Sequence, residues 1–250
     1  MNIQKLAVIS IIVILLFAIS SYGQINSKNT VAFYPFNGDA KDLSGNGKNG
    51  TVKGDVKWSP GKFGQAIELN GTNAWVEVPE LGSFKDITIA EWVNATGRVG
   101  QWRVIYTDNG WSEGFVHHQL YTDNLIGFSI HSNTGGNDSK SKFVFDNSQL
   151  NKWHHLATVY SGTQGWLRFY IDGKLDVENK WGGNPAVLKA GRIGSWDGGG
   201  REWQGMFDDF IILNVALSEA DIQNLINKGV SGVEPMNKLT TNWGCVKTGY

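Results

Sequence analysis

The chain has 250 residues and a balanced charge, with 22 Lys and Arg against 23 Asp and Glu. A nearly neutral chain without a basic cluster argues against nucleic acid as the main partner. Cys245 is the single cysteine, which excludes an intrachain disulfide, so the fold must be held by its core or by a metal.

The first 23 residues have the pattern of a secretory signal peptide. Lys5 precedes an apolar run from Leu6 to Ser20, and small residues follow at Ser21 and Gly23. The run is shorter than the roughly 20 residues that cross a bilayer, which favours cleavage over an uncleaved anchor. We therefore expect residues 1–23 to be removed. The mature protein would then be secreted, periplasmic or at the cell surface, without membrane insertion.

Residues 31–50, VAFYPFNGDAKDLSGNGKNG, predict a short strand and then a polar loop. The loop places oxygen-bearing side chains, among them Asn37, Asp39 and Asp42, between glycines that let the backbone bend. Ca²⁺ binds six to eight such oxygens. Asn, Asp and Gly are also the commonest turn residues, so a plain turn is the alternative. A second acidic element, Phe207–Asp209, lies near the other end of the predicted fold.

Residues 30–213 predict β-structure throughout, because short apolar and β-branched runs alternate with Gly-rich turns. This spacing predicts an all-β, two-sheet antiparallel sandwich. An Asp-Gly hairpin turn is expected at Asp172-Gly173. After the first strand, the predicted strands are Ala66–Asn70, Ala74–Val78, Ile87–Val93, Arg103–Tyr106, Gly114–Tyr121, Leu125–His131, Lys142–Phe145, His154–Tyr160, Trp166–Ile171, Leu188–Ile193 and Met206–Leu213.

One short helix is predicted after the last strand. Ser218 can cap it, with Asp221 as the reciprocal capping-box partner. Gly229 is placed to end it. Residues 230–250, which include Cys245, show no clear periodicity and are interpreted as a tail or linker.

Catalytic motifs are mostly missing from the sequence. Glycosidases of jelly-roll fold commonly carry two carboxylates in an E-x-D-x-x-E spacing, because acid and nucleophile must flank the scissile bond. Glu219-Ala-Asp221 has the first part of this spacing, but it lies at the predicted helix start. The adjacent pairs His117-His118 and His154-His155 would point to opposite faces of a strand, one inward and one outward, so neither pair can chelate one ion.

Six of the 11 tryptophans fall into two groups. Trp92 and Trp153 lie in apolar runs and are expected in the core, whereas four others lie in polar, Gly-rich loops. Flat aromatic faces beside polar groups suit sugar rings, although loop tryptophans can also plug the ends of a sandwich. The candidate ligand-binding residues are Trp111, Trp181, Trp196, Asp197, Arg201 and Trp203.

Four segments together resemble the laminin-G-like, concanavalin A-like jelly-roll modules of secreted bacterial proteins. They occur in the family's order and span most of residues 30–229, which we interpret as one domain. The segments are Tyr34–Gly50 (YPFNGDAKDLSGNGKNG), Gly61–Gly71 (GKFGQAIELNG), Trp153–Tyr160 (WHHLATVY) with Phe169–Lys174 (FYIDGK), and Gly205–Ser218 (GMFDDFIILNVALS).

The resemblance implies two packed antiparallel sheets, one of them concave, and a structural Ca²⁺ site. Asp42 matches the acidic residue of the family's first-loop motif, and Asp208 matches the first Asp of its final-strand motif. Asn37, Asp39 and Asn70 are additional candidate ligands. A departure from the family pattern is Glu91, which precedes Trp92 and is expected to face outward or to join the concave surface.

Three functions follow from these expectations. The leading one is a secreted, non-catalytic recognition module, stabilised by calcium, whose partner is an extracellular glycan. The second is a protein–protein or matrix adhesion module that binds a surface protein, since the fold does not fix the function. The third, a divergent glycoside hydrolase or lyase, is disfavoured by the missing carboxylate pair.

Overall fold

The computed structural model describes residues 28–132, 137–182 and 184–228. The predicted signal peptide, the tail with Cys245, and Gly229 lie outside the described residues. Within the described ranges, no helix is both long and apolar enough to cross a membrane.

Two large antiparallel sheets pack face to face, as predicted. The first sheet has the order β14-β13-β12-β7-β17-β4-β3, and β1 also pairs with β17. Its strands are β1 (Thr30–Tyr34), β3 (Lys57–Pro60), β4 (Gln65–Asn70), β7 (Asp86–Ala95), β12 (His154–Ser161), β13 (Trp166–Ile171), β14 (Lys174–Lys180) and β17 (Gln204–Leu213).

The second sheet has the order β11-β10-β9-β8-β16-β5-β2. Its strands are β2 (Thr51–Lys53), β5 (Trp75–Val78), β8 (Arg103–Asp108), β9 (Val116–Leu120), β10 (Leu125–Ile130), β11 (Asn137–Val144) and β16 (Gly191–Ile193).

A separate two-stranded sheet consists of β6 (Gly82–Phe84) and β15 (Ala186–Leu188). The prediction of a single strand over Leu188–Ile193 is therefore wrong. The chain changes sheet between Leu188 and Gly191, so the run supplies the end of β15 and the whole of β16.

The main core lies between the two large sheets, because side chains alternate along each strand. In β7, Ile87, Ile89 and Val93 point into this core, and Val116 and Leu120 of β9 face them from the second sheet. The outer face of the first sheet carries a smaller apolar cluster, which the helix covers.

The helix α1 spans Glu219–Lys228, and its predicted capping box is confirmed. The Asp221 N–H donates to Ser218 Oγ at 3.2 Å, and the Ser218 N–H donates to the Asp221 carboxylate at 3.1 Å. Leu217 and Ile222 are buried against the outer face of the first sheet, which fixes the position of the helix start.

One histidine of each pair points inward and the other outward, as expected, but the outward His117 and His155 are buried as well. Aromatic rings cover the outer members: Trp111 lies 4.3 Å from His117, and Trp92 lies 5.3 Å from His155. Trp92 is buried as predicted. Trp153 is half-buried, so its predicted core role is wrong.

Candidate ligand-binding face

The outer face of the second sheet carries side chains that the core does not use. Along β9, Val116, His118 and Leu120 point inward, so His117 and Gln119 point outward. His117 lies opposite Thr107 of β8, which gives the outer face a second row of polar groups.

A loop of residues 194–203 lies over this outer face. The Val104 N–H donates to the Arg201 carbonyl at 2.9 Å, and the Trp203 N–H donates to the Gly194 carbonyl at 2.8 Å. Arg192 Nη1 donates to the Trp196 carbonyl at 3.2 Å. The bonds from Val104 and Arg192 hold the loop against the sheet, and the bond between Trp203 and Gly194 joins its two ends.

Arg201 fixes the side chains of this loop. Its guanidinium carbon lies 4.3 Å from the centre of the Trp196 ring and 4.7 Å from that of Trp102. Nη1 also donates to Gln119 Oε1 at 3.0 Å. Each such cation–π contact contributes roughly 0.5–2 kcal/mol, so Arg201 holds two indoles in place at once.

The rings continue from Arg201 in both directions as one row. On one side the Trp102 ring packs against Tyr121, with ring centres 4.3 Å apart and the planes tilted by 49°. On the other side Trp196 lies 6.2 Å from His117, and His117 lies 4.3 Å from Trp111. We call this surface the aromatic face. It consists of Trp102, Trp111, His117, Tyr121, Trp196 and Arg201, together with Trp75 of β5, whose ring centre lies 4.7 Å from the guanidinium carbon of Arg192.

Trp111 is the exposed end of the aromatic face, with 40% of its surface accessible to solvent. Its indole lies 4.3 Å from the His117 ring and 4.7 Å from the His131 ring. His117 Nε2 makes a hydrogen bond with the Gly110 carbonyl at 3.0 Å. An exposed ring is therefore held in one orientation by supporting rings, which suits it to stacking on a ligand.

His117 is neutral at physiological pH. Burial, and to a smaller extent the positive charge of Arg201, lower the pKa of His117 to about 4, although its bond to Gly110 acts the other way. The aromatic face therefore gains no charge from this histidine between pH 5 and 8.

Four of the six predicted ligand-binding residues come together on the aromatic face. Trp111, Trp196 and Arg201 belong to it, and Asp197 is exposed beside Trp196. Sequence reasoning placed Trp196, Asp197 and Arg201 in one loop, and the structure adds Trp111 from a distant part of the chain.

The other two predicted ligand-binding residues are core residues, which corrects the prediction. Trp203 is 0% exposed and lies 4.8 Å from Phe207, and Trp181 is 7% exposed and lies 6.2 Å from Tyr160. Their sequence neighbours are polar, but the chain turns inward at each of them. Neither indole can form the main platform for a ligand on the surface.

Sequence reasoning missed Trp75, Trp102 and Gln119. A signal existed for Trp75, because in the strand WVEV the core residues Val76 and Val78 alternate with outward Trp75 and Glu77. Trp102 had no local signal, since its ring contacts come from distant parts of the chain.

Asp42 does not fit the role of a calcium ligand in this arrangement. One carboxylate oxygen accepts the N–H groups of Phe33 and Ser44, at 3.0 and 2.8 Å. The other accepts the Ser44 hydroxyl at 2.8 Å and the Lys48 N–H at 2.9 Å. Four donors thus occupy the lone pairs that a cation would need, and Asp42 serves to organise its own loop.

Asp208 and Asn37 approach a different segment, the turn between β3 and β4. The Phe63 N–H donates to Asp208 Oδ2 at 2.7 Å, and the Gln65 N–H donates to Asn37 Oδ1 at 2.9 Å. Asp208 and Asn37 therefore bind the same turn, and neither takes part in the hydrogen bonds of Asp42.

The remaining candidate ligands have local roles. Asp39 forms an exposed ion pair with Lys41 at 2.8 Å, and Asn70 accepts the N–H groups of Thr72 and Asn73 in the turn after β4. In the described part of the chain, no three His, Cys, Asp or Glu side chains are arranged to hold a metal ion. The hydrogen bonds of the five predicted residues thus join them to separate segments, and calcium at these residues stays a prediction.

Glu91 is neither outward-facing nor part of the concave surface, which corrects the expectation. Its side chain is 0% exposed and shares the inward side of β7 with Ile89 and Val93. Neither carboxylate oxygen has a hydrogen-bond partner among the described residues. Burial raises the pKa of Glu91 well above its usual range, which favours the neutral form of this carboxyl.

The family model described as the concanavalin A-like lectin/glucanases superfamily, of the laminin-G type, matches residues 70–223. The chain belongs to this superfamily. The match covers β5 to β17, the 194–203 loop and the start of α1, whereas β1 to β3 and all but the last residue of β4 precede it. A search of curated protein sequences gives no match.

Solved structures of low identity share the fold. Domain 4 of AbnA, a GH43 extracellular arabinanase from Geobacillus stearothermophilus in complex with arabinotriose, matches with a TM-score of 0.64 and 21% identity, over 79% of this chain and 98% of that chain. The binding domain of Paraclostridial Mosquitocidal Protein 1 matches with a TM-score of 0.63 and 22% identity, over 82% of this chain and 53% of that chain.

The binding domain of Botulinum neurotoxin DC, in complex with rat synaptotagmin II, matches with a TM-score of 0.64 and 18% identity. This match covers 82% of the present chain and 52% of the toxin chain, so the chain spans about half of each toxin binding domain. At these identities the likeness establishes the fold alone.

Proposed function

We propose that this protein is a non-catalytic binding module that takes an extracellular glycan on its aromatic face. The observation that carries the proposal is the row of packed rings that ends at Trp111, exposed and supported by two imidazoles. Two similarities agree with it: membership of the superfamily, and the likeness to an arabinanase domain whose structure holds arabinotriose.

The chemistry of the aromatic face suits a saccharide. A sugar ring has an apolar C–H face that can cover an indole, and its hydroxyl edge needs oriented polar partners. Burial of the exposed part of Trp111 would contribute about 1–3 kcal/mol at ~25 cal/mol per Å². Neighbouring polar groups such as Asp197 would add mainly specificity.

The carboxylates that the sequence analysis singled out, Glu91, Glu219 and Asp221, give no support to a hydrolase. Glycosidases place an acid and a nucleophile or base on opposite sides of the scissile bond, at the surface where substrate binds. Glu91 is sealed in the core, and Glu219 and Asp221 lie at the start of α1 on the other sheet. We therefore favour binding without catalysis.

The extracellular location rests on residues 1–23, whose pattern predicts export. Mass spectrometry of the exported protein should find a mature N-terminus near Gln24. Retention of residues 1–23 would contradict the expected cleavage.

The test of the glycan proposal is a glycan array probed with the purified protein and with two variants. Trp111→Ala should lose the signal. Trp166→Ala is the matched control, because Trp166 is a half-buried indole on the outer face of the first sheet, stacked on Arg168 at 3.9 Å. Equal loss in both variants, or binding only to a surface protein in pull-down experiments, would favour the adhesion alternative.

A further inference from the structure

The charges on the aromatic face are unevenly distributed. Its positive groups already have partners: the Arg201 guanidinium is enclosed by two indoles and Gln119, and Arg192 bonds to the Trp196 carbonyl and stacks over Trp75 at 4.7 Å. Three ion pairs engage neighbouring cations, and they are Lys53–Glu77, Arg98–Glu202 and Lys140–Asp123.

The exposed end of the face is different. Asp197 is solvent-exposed, and no hydrogen bond or ion pair within the described ranges engages its carboxylate. The negative charges of Asp197 and Asp138 each act to raise the pKa of His117, so both carboxylates lie near its ring. His117 in turn supports the Trp111 ring. Since His117 is neutral, the charge beside the exposed indole is negative.

From this arrangement we infer that Trp111 and Asp197 form a subsite for an uncharged sugar residue. The indole stacks on the C–H face of the ring, and the Asp197 carboxylate accepts a hydrogen bond from a ring hydroxyl. A uronate or a sulfated sugar meets the negative charges of Asp197 and Asp138 and finds no unengaged guanidinium to compensate. This inference rests on the proposed function and specifies its ligand class.

The inference predicts that affinity is insensitive to salt. Attraction between opposite charges would weaken as the ionic strength rises, because the Debye length shortens. Stacking and hydrogen bonding to a neutral sugar should keep the dissociation constant within about twofold between about 0.05 M and about 0.5 M NaCl.

The experiment is calorimetric titration of the purified full chain with two panels of soluble oligosaccharides. The neutral panel contains arabinotriose, cellohexaose, xylohexaose, mannohexaose and laminarihexaose, and the acidic panel contains oligogalacturonate, oligoalginate and sulfated chondroitin oligosaccharides. The variants are Trp111→Ala and Asp197→Asn. Glu219→Gln on α1 is the charge-matched control, because Glu219 is exposed on the other side of the sandwich.

Binding of a neutral oligosaccharide supports the inference if Trp111→Ala and Asp197→Asn each weaken it about tenfold or more while Glu219→Gln does not. Binding confined to the acidic panel, with affinity that falls as salt rises, overturns the inference and leaves the proposed function standing. If neither panel binds, the inference and the proposed glycan function both fail.

Discussion

Replacement of Trp203 distinguishes a core tryptophan from a ligand platform. The indole is completely buried and packs against Phe145 and Phe207, with ring centres 6.4 and 4.8 Å away. Trp→Ala at such a site costs about 3–5 kcal/mol of unfolding free energy, through lost burial and the cavity left behind. At about 2–4 °C per kcal/mol for a domain of this size, the melting temperature of Trp203→Ala should fall by about 6–20 °C.

Trp203→Phe separates packing from hydrogen bonding. The Trp203 Nε1–H is buried without a hydrogen-bond partner among the described residues. Phenylalanine removes this polar group and keeps most of the apolar ring, so its cost should be below about 1.5 kcal/mol.

Thermal melts followed by far-UV circular dichroism measure these losses, and glycan binding is measured in parallel at low temperature. Trp111→Ala should melt within about 2 °C of the wild type, because substitutions at exposed positions usually change stability little. If Trp203→Ala melted like the wild type and lost ligand binding, the assignment of Trp203 to the core would be refuted.

Three further predictions concern stability. Because burial raises the pKa of Glu91, the folded state binds the Glu91 proton more tightly than the unfolded state does. The stability that this proton contributes is fully present below the pKa of the unfolded state, and it is lost as the pH rises through the pKa of the folded state. Glu91→Gln should therefore flatten the fall in melting temperature between pH 5 and 8. Ser218→Ala should cost about 1 kcal/mol through loss of the helix cap. Asp42→Asn should cost about 1.5–3 kcal/mol by weakening bonds to charged oxygen, equally in Ca²⁺ and in EDTA.

Each of these has a contradicting result. An identical pH profile in wild type and Glu91→Gln would mean that the buried carboxyl is not held neutral. An unchanged midpoint of urea unfolding in Ser218→Ala would show that the Ser218 cap does not stabilise α1. If the cost of Asp42→Asn were present in Ca²⁺ and vanished in EDTA, Asp42 would be a calcium ligand after all.

The sandwich itself was predictable, because half-buried strands show their period of two in the sequence. The run His154–Tyr160 became β12 almost unchanged, and the Asp172-Gly173 turn is present with positive φ at both residues. Strand β14, Lys174–Lys180, was not predicted as a strand in its own right. It is an edge strand with mostly exposed side chains, so it has no apolar alternation to detect.

The buried position of the Glu91 side chain could be predicted from the same alternation. Ile87, Ile89 and Val93 share one side of β7, and Glu91 occupies the same parity, which places its carboxyl in the core. The general rule that carboxylates avoid the interior pointed the other way, and in this strand the backbone period prevailed.

The candidate site was only partly predictable, because its contacts join distant segments. Trp196 and Trp203 occupy the same Gly-rich loop, yet one lies under Arg201 on the surface and the other re-enters the core. Local composition is the same for both and cannot separate them. The contact between Trp102 and Tyr121 likewise depends on the pairing of strands, which no short motif indicates.

The most direct test of the central claim is the indole Nε1–H region of a ¹H–¹⁵N correlation spectrum, recorded while a glycan identified on the array is titrated in. Spectra of the Trp111→Phe and Trp166→Phe variants assign the Nε1–H signals of Trp111 and Trp166. We predict that ligand shifts the Trp111 signal progressively and leaves the Trp166 signal in place. A ligand that binds while the Trp111 signal stays unmoved would contradict the account, because binding would then occur away from the aromatic face.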